Sequence, residues 1–474
     1  MDTSSRHRVA IIGAGFGGIG LAILLKRAGI DFVILEKSSD LGGTWRDNVY
    51  PGAACDVPAH LYSFSFEHTS DWSRRFAGQE EILDYLRGCA DRHRLRERTR
   101  FCTEVLEATY DDGWLIRTTH GDLRAAVLVS ACGQLNRPAL PDLPGLGTFT
   151  GTTFHSARWD HGHDLAGERV AVIGTGASAV QFVPHVAARA ARLHVFQRTA
   201  PYVIPKPDRE YGRHALISRF RPLHLLERLR IYLALESRAL GFVTFPKALK
   251  LMERSFRRTL RKAVPERDLR RKLIPDYPLG CKRVLISDDY YPALRRPTVD
   301  LVTDAITEIR QNAIVTEDGT VHEVDTIIFG TGFQSTAFLA PMRITGRDGR
   351  ELTEAWKSGA EAYLGLTVHG FPNLYLLYGP NTNLGHNSIV YMLESQFRYV
   401  LACLATGRTL EVRADVQSRF NRELQRRMRG TIWTSGCTSW YQTAEGRHVN
   451  NWPGYTFVYR RATRRPDPAD FSIG

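Results

Sequence analysis

Short continuous apolar runs alternate along this chain with glycine turns and helical periodicity. Arg8-Val-Ala-Ile-Ile12 is one such run. It is followed by Gly13-Ala-Gly-Phe-Gly-Gly18, by apolar positions at helical spacing through Leu25, and by Asp31-Phe-Val-Ile-Leu35. The same order returns as Arg169-Val-Ala-Val-Ile173, Gly174-Thr-Gly-Ala-Ser-Ala179, a helical pattern to Arg189, and Leu193-His-Val-Phe196. Each block predicts strand, glycine turn, helix and strand. Two such units predict an α/β fold built on doubly wound parallel sheets. Residues 134–145, rich in proline and glycine, predict a linker between them. From about 205 to 283 the pattern changes to arginine-rich amphipathic helices, and the expectation is that their apolar stripes pack on a domain core. Strand-like sequence returns at 299–309 and 324–329. A loop rich in glycine and asparagine at 379–385 precedes a long helical pattern over 388–405.

The 474 residues suffice for two or three domains, and 43% hydrophobic with 24% charged residues fits an ordinary globular protein. The formal net charge of +13 admits nucleic acid, an anionic membrane or anionic cofactors as partners. No basic run interleaved with aromatics is present, so no nucleic-acid partner is expected. The seven cysteines are scattered and never spaced C-x-x-C, which argues against a disulfide framework, a zinc ribbon and a dithiol reductase. With no apolar signal segment and no stretch long enough to span a bilayer, a cytoplasmic protein is expected. His161, His163, Asp160 and Asp164 lack a metal-ligand spacing, and a solvated loop is the reading for them.

The glycine turns bring in the chemistry. Gly13, Gly15 and Gly18 follow a strand and open a helix, and Glu36 ends the next strand. That context marks a dinucleotide site. The glycines allow a tight turn, close approach to a pyrophosphate and close helix packing, the helix N-terminus faces the phosphates, and the acid accepts from a ribose. Glu36 stands 23 residues after Gly13, and the same distance from Gly174 reaches Gln197, followed by Arg198 and Thr199. An acid there would repel a 2′-phosphate, whereas Arg198 can bind one, so the second site, with Gly174 and Gly176, is expected to take NADPH. The other reading of Arg198 is a solvated surface arginine. Two dinucleotide units in one chain suggest a flavin, FAD, reduced by a nicotinamide. The expected architecture is two Rossmann-like domains: an FAD domain from 1–145 and 324–474, and an inserted NADPH domain at 146–323 carrying the helical insertion.

Three stretches go further. Phe149-Thr-Gly-Thr-Thr-Phe-His155-Ser-Ala-Arg-Trp159-Asp160 fits F-x-G-x-x-x-H-x-x-x-W-[PD]. Gly42-Gly-Thr44-Trp45-Arg-Asp-Asn-Val-Tyr50-Pro51-Gly52-Ala-Ala-Cys-Asp56 fits [AG]-G-x-W-x-x-x-x-[FY]-P-[GM]-x-x-x-D, and Gly330-Thr-Gly332-Phe333 follows a strand. Together these resemble the signatures of the type I Baeyer–Villiger monooxygenases over nearly the whole chain. The resemblance implies that NADPH reduces FAD, that the reduced flavin captures O2 as a C4a-peroxide, and that a ketone, expected to be lipophilic, becomes an ester or lactone. It implies that Arg283 is the active-site cation, that Asp56 pairs with it, and that Lys282 contacts the 2′-phosphate. The competing reading of Arg283 is an interdomain salt bridge. Thr44, Trp45, Val105, Ser178, Thr199 and Gly332 are further candidate cofactor contacts. Asn381, Asn383 and His386 stand before the 388–405 helix. Two readings are open there, a helix N-terminus facing the flavin and a capped surface turn. Trp440 is read either as a neighbour of the nicotinamide or as a core aromatic. His155 is read as coupling domain position to the cycle. N- or S-oxygenation is the alternative activity, and a flavin-binding protein without turnover is a third. For the 205–283 helices, a basic surface touching membrane is the second reading.

Overall fold

A computed structural model of the chain describes residues 5–69, 71–212 and 220–473. The two βαβ units form where the apolar runs fall. Val9, Ala10 and Ile11 are fully buried because strand Ser5–Ile12 lies inside a sheet covered on both faces. It pairs in parallel with Phe32–Leu35 on one side and Leu123–Ser130 on the other, with Val9 opposite Phe32 and Val127. The chain thus leaves this strand in both directions, which opens a crevice at the carboxyl ends of the strands. Antiparallel strands Val105–Tyr110 and Trp114–Thr118 extend the sheet.

The second sheet has five parallel strands in the order Val299–Val302, Arg192–Phe196, Arg169–Ile173, Thr326–Phe329 and Thr152–His155. Thr326–Phe329 lies just past the expected division at 323, so this sheet reaches slightly further along the chain than the sequence pattern suggests. Glycines set the spacing at both turns. A Cβ on Gly18 would stand 1.9 Å from the Gly13 carbonyl oxygen, and one on Gly174 would stand 2.5 Å from the Gly330 oxygen. The second contact seats the 330–333 loop on the second glycine turn.

The 388–405 pattern forms helix Ile389–Ala405, with Ser388 as N-cap accepting from the Val390 N–H. Two expectations change. Residues 213–219 of the helical insertion lie outside the described residues, and helix Arg221–Glu236 turns a mixed polar and apolar side inward and most of its leucines outward. It buries His224, Arg228 and Glu236 beside Ile231 and Leu235 while exposing Leu226, Leu229 and Leu233, so only part of its apolar sequence packs on the core. Second, Cys281 and Cys437 form a disulfide with their Cα atoms 6.3 Å apart. The fold joins two cysteines 156 residues apart in sequence, a pairing that spacing along the chain does not reveal.

His224 stacks on His60, their rings 4.9 Å apart, and contacts His68 at 3.8 Å. Burial, with His68 and Arg228 adding repulsion, pushes His224 down to about 3, and burial pushes His60 down to about 4 against the pull of Glu227. An unfolded histidine titrates near 6.5. The unfolded chain therefore binds protons that the native fold refuses, and stability present above that value is lost as pH falls toward 4. Thermal melts should show the midpoint dropping across this window, with a shallower drop in His224→Gln. Identical slopes for the two proteins would contradict the assignment.

Candidate active site

Both glycine turns line one cavity of about 1740 Å³, larger than the roughly 300–1,000 Å³ of a site for one small ligand. The residues fit two dinucleotides. Helices Phe16–Arg27 and Ala177–Ala187 both begin here without a side-chain cap and without an acid in the first turn. Their free N–H groups and positive dipole ends are open to phosphate. Glu36, buried at the cavity wall, accepts from the Ala14 N–H at 2.8 Å and pairs with Arg46 at 3.2 Å. Gly13, Gly15, Thr44, Trp45 and Val105 line this cavity, and so do Gly174, Gly176, Ser178, Arg198, Thr199 and Gly332. Gly18 lies behind the wall, where its role is helix packing.

Arg283 and Asp56 meet in this cavity. Nε and Nη2 each donate to a different carboxylate oxygen at 2.7 Å, a fork that fixes the guanidinium plane. The Asp56 carboxylate pushes the Arg283 guanidinium up, so it stays charged. The neighbouring Lys282 donates to Thr199 Oγ1 at 3.3 Å and lies 4.6 Å from the Tyr277 ring centroid. Burial lowers the Lys282 ammonium, and nearby Arg198 lowers it further. Arg198 is exposed and makes no ion pair among the described residues. Two cations held together in this way favour an anion between them. The disulfide ties this segment to the loop of Trp440, which also lines the cavity.

Asn381 falls outside the cavity lining. Its side chain donates to the His448 and Asn451 carbonyls at 3.0 and 3.1 Å, and its backbone has φ of 57°. It holds a buried turn. Asn383 and Asn387 line the cavity instead, whereas His386 lies 3.6 Å from Glu236. His155 is buried, with its ring 5.8 Å from Phe333, so the first signature touches the 330–333 loop. Burial lowers its pKa, with the Gly332 backbone opposing.

Sequence reasoning missed Gln181 and Tyr378. Gln181 accepts from Tyr50 Oη at 2.9 Å and donates to the Ala54 carbonyl at 2.9 Å. A Cβ on Gly52 would come within 2.6 Å of His185 on the same helix. The second signature is thus also the joint between the two sheets. The signal was a lone glutamine among apolar residues, Val180, Phe182 and Val183. Tyr378 donates to Asn383 Oδ1 at 2.6 Å, and burial pushes its pKa up against the opposing pull of Arg283. No motif marks it.

A family model described as pyridine nucleotide-disulphide oxidoreductase matches residues 10–218. A Streptomyces coelicolor Baeyer-Villiger monooxygenase is 48% identical over 98% of this chain and 92% of its own. A Pseudomonas aeruginosa protein of the same name is 46% identical over 99% and 92%. The chain belongs to the Baeyer–Villiger monooxygenase family. Solved structures agree. A steroid monooxygenase bound to NADP matches with TM-score 0.88 and 30% identity over 99% of both chains. OTEMO in complex with FAD and NADP matches at 0.89 and 27% over both full chains. Cyclohexanone monooxygenase with bound ε-caprolactone matches at 0.86 and 28% over 99% of this chain and 100% of that one. These relatives favour Baeyer–Villiger oxidation over the N- or S-oxygenation that the first signature also allows. No helix among the described residues is long and apolar enough to cross a membrane.

Proposed function

We propose that this Baeyer–Villiger monooxygenase holds FAD on the Gly13–Gly18 turn and NADPH on the Gly174–Ala179 turn, and inserts one oxygen atom of O2 beside the carbonyl of a lipophilic ketone. The product is an ester or lactone. The observation that carries the reading is the forked Arg283–Asp56 pair on the wall of the cavity that both turns share. The bound flavin, reduced by NADPH, supplies the activation of O2.

The protein's own part is electrostatic and positional. Arg283 presents a fixed positive charge where negative charge develops on oxygen, and a preorganised cation needs no reorganisation during the reaction. Asp56 orients it and keeps it charged. Glu36 accepts from the FAD ribose. Thr44 and Val105 contact the flavin dinucleotide, and Trp45, braced by a 3.2 Å hydrogen bond to Tyr62, packs against it. Ser178, Arg198, Thr199 and Lys282 hold the NADPH phosphates, and Trp440 closes the nicotinamide side. Gly332 and His155 link the second sheet to the flavin. A cytoplasmic setting, where NADPH is regenerated, suits this cofactor.

Purified, FAD-loaded protein should be supplied with NADPH, O2 and a panel of linear, cyclic and aromatic ketones alongside a thioether. The expected result is ester or lactone from at least one ketone class. Sulfoxide alone, or NADPH consumption without ester, would overturn the reading.

A further inference from the structure

Helix Arg221–Glu236 buries two charged residues and exposes most of its leucines. Its inward face sets Ile231 and Leu235 in the core beside two bonded charges. Arg228 Nη1 donates to the His60 and Ser63 carbonyls at 2.7 and 2.9 Å, and Nη2 lies 3.5 Å from Glu394. Glu236 accepts from the Thr456 N–H and from Asn387, each at 2.6 Å. These bonds fix the rotation of the helix, because turning it would leave buried charges unpaired. The outward face is then apolar. Leu226, Leu229 and Leu233 are each more than half exposed. Fifteen large hydrophobic side chains are exposed among the described residues, and ten of them fall within 220–252. Phe457 joins the patch, since Tyr232 bonds Thr456 at 3.1 Å. A soluble domain rarely leaves such a patch uncovered.

The charges around the patch say what covers it. Arg221, Arg230, Lys247, Lys250 and Arg254 are exposed in the same segment. Its acids are turned away: Glu236 is buried, and Glu253 accepts from the Leu279 N–H at 2.9 Å. Glu227 is half-buried and bonded to Arg209 and Arg230. We propose that this face is a docking surface for an anionic lipid membrane, with the leucine ridge entering the acyl boundary and the cations meeting headgroup phosphates. A second copy fits less well, because an isologous contact would set these cations against themselves on a chain of net charge +13. The inference goes beyond the reaction and does not depend on which ketone is used.

The test uses the FAD-loaded full chain. It should co-sediment with phosphatidylcholine vesicles containing phosphatidylglycerol at low salt, weakly with pure phosphatidylcholine, and less at high salt. The triple variant Leu226→Gln, Leu229→Gln and Leu233→Gln removes only exposed apolar surface. It should lose at least about tenfold in vesicle affinity, with flavin content and circular dichroism unchanged. Absence of wild-type binding to anionic vesicles at low salt would overturn the proposal, and so would equal binding by the triple variant. A wild-type dimer in light scattering that the triple variant breaks would assign the face to a second copy instead.

Discussion

Arg283→Ala should purify with a full complement of FAD, and its ester formation should fall by roughly 10²- to 10³-fold, the loss expected when one preorganised charge-stabilising group is removed. The argument rests on placement. The guanidinium is held by two 2.7 Å bonds to Asp56 and faces the cavity rather than a closed interface. None of the hydrogen bonds around the Gly13 turn passes through it, so flavin retention should be independent of it. Arg283→Lys keeps the charge but loses the fork, and should recover only part of the rate. The salt-bridge reading predicts something different. If the pair merely ties the two sheets together, Arg283→Ala should melt earlier but form ester at a normal rate per folded, flavin-loaded molecule. Product formation and melting temperature, measured on the same preparation, separate the two. A normal product rate would remove Arg283 from the chemistry.

The parts of the molecule legible in the sequence are those where local pattern and global fold agree. Val9–Ile11 and Val170–Val172 read as strands because a parallel strand buried on both faces is apolar at every position. The turns at Gly13 and Gly174 read directly because a Cβ cannot fit there. Helical periodicity in 221–236 gave the stripe but not its direction. A leucine face and a face with His224, Arg228 and Glu236 are both periodic, and the partners waiting at His60, Glu394 and Thr456 decide which turns inward. The site shows the same limit. Asp56 and Arg283 were visible through motif resemblance, although only the fold brings them together. Asn381 and Asn383 are indistinguishable in sequence, and the backbone turn sends one to the His448 carbonyl and the other to the cavity wall. Cys281–Cys437 is likewise a long-range pairing with no local trace, and Gln181 stands out among apolar neighbours without revealing its partners Tyr50 and Ala54.

Replacing Arg198 by Ala and Lys282 by Met together should lower kcat/KM for NADPH by at least roughly 100-fold, on the basis of about 1.5 kcal/mol, the lower end for a charged hydrogen bond, for each contact to phosphate. The same parameter for NADH should barely move, because the lost contacts would be to a group NADH lacks. The structure supplies the physical cause. Burial and Arg198 both lower the Lys282 ammonium, so the two cations repel each other and a 2′-phosphate bound between them would relieve that repulsion. No acid stands at Gln197 to compete, and its amide is committed to the Lys272 carbonyl at 2.7 Å. Arg198→Ala alone should cost roughly tenfold for NADPH, since Lys282 still donates. The preference for NADPH over NADH, taken as a ratio of kcat/KM, is the deciding quantity, because misfolding or a shifted loop would lower both substrates together. If that ratio is unchanged in the double variant, the two cations hold the segment in place and do not read the phosphate.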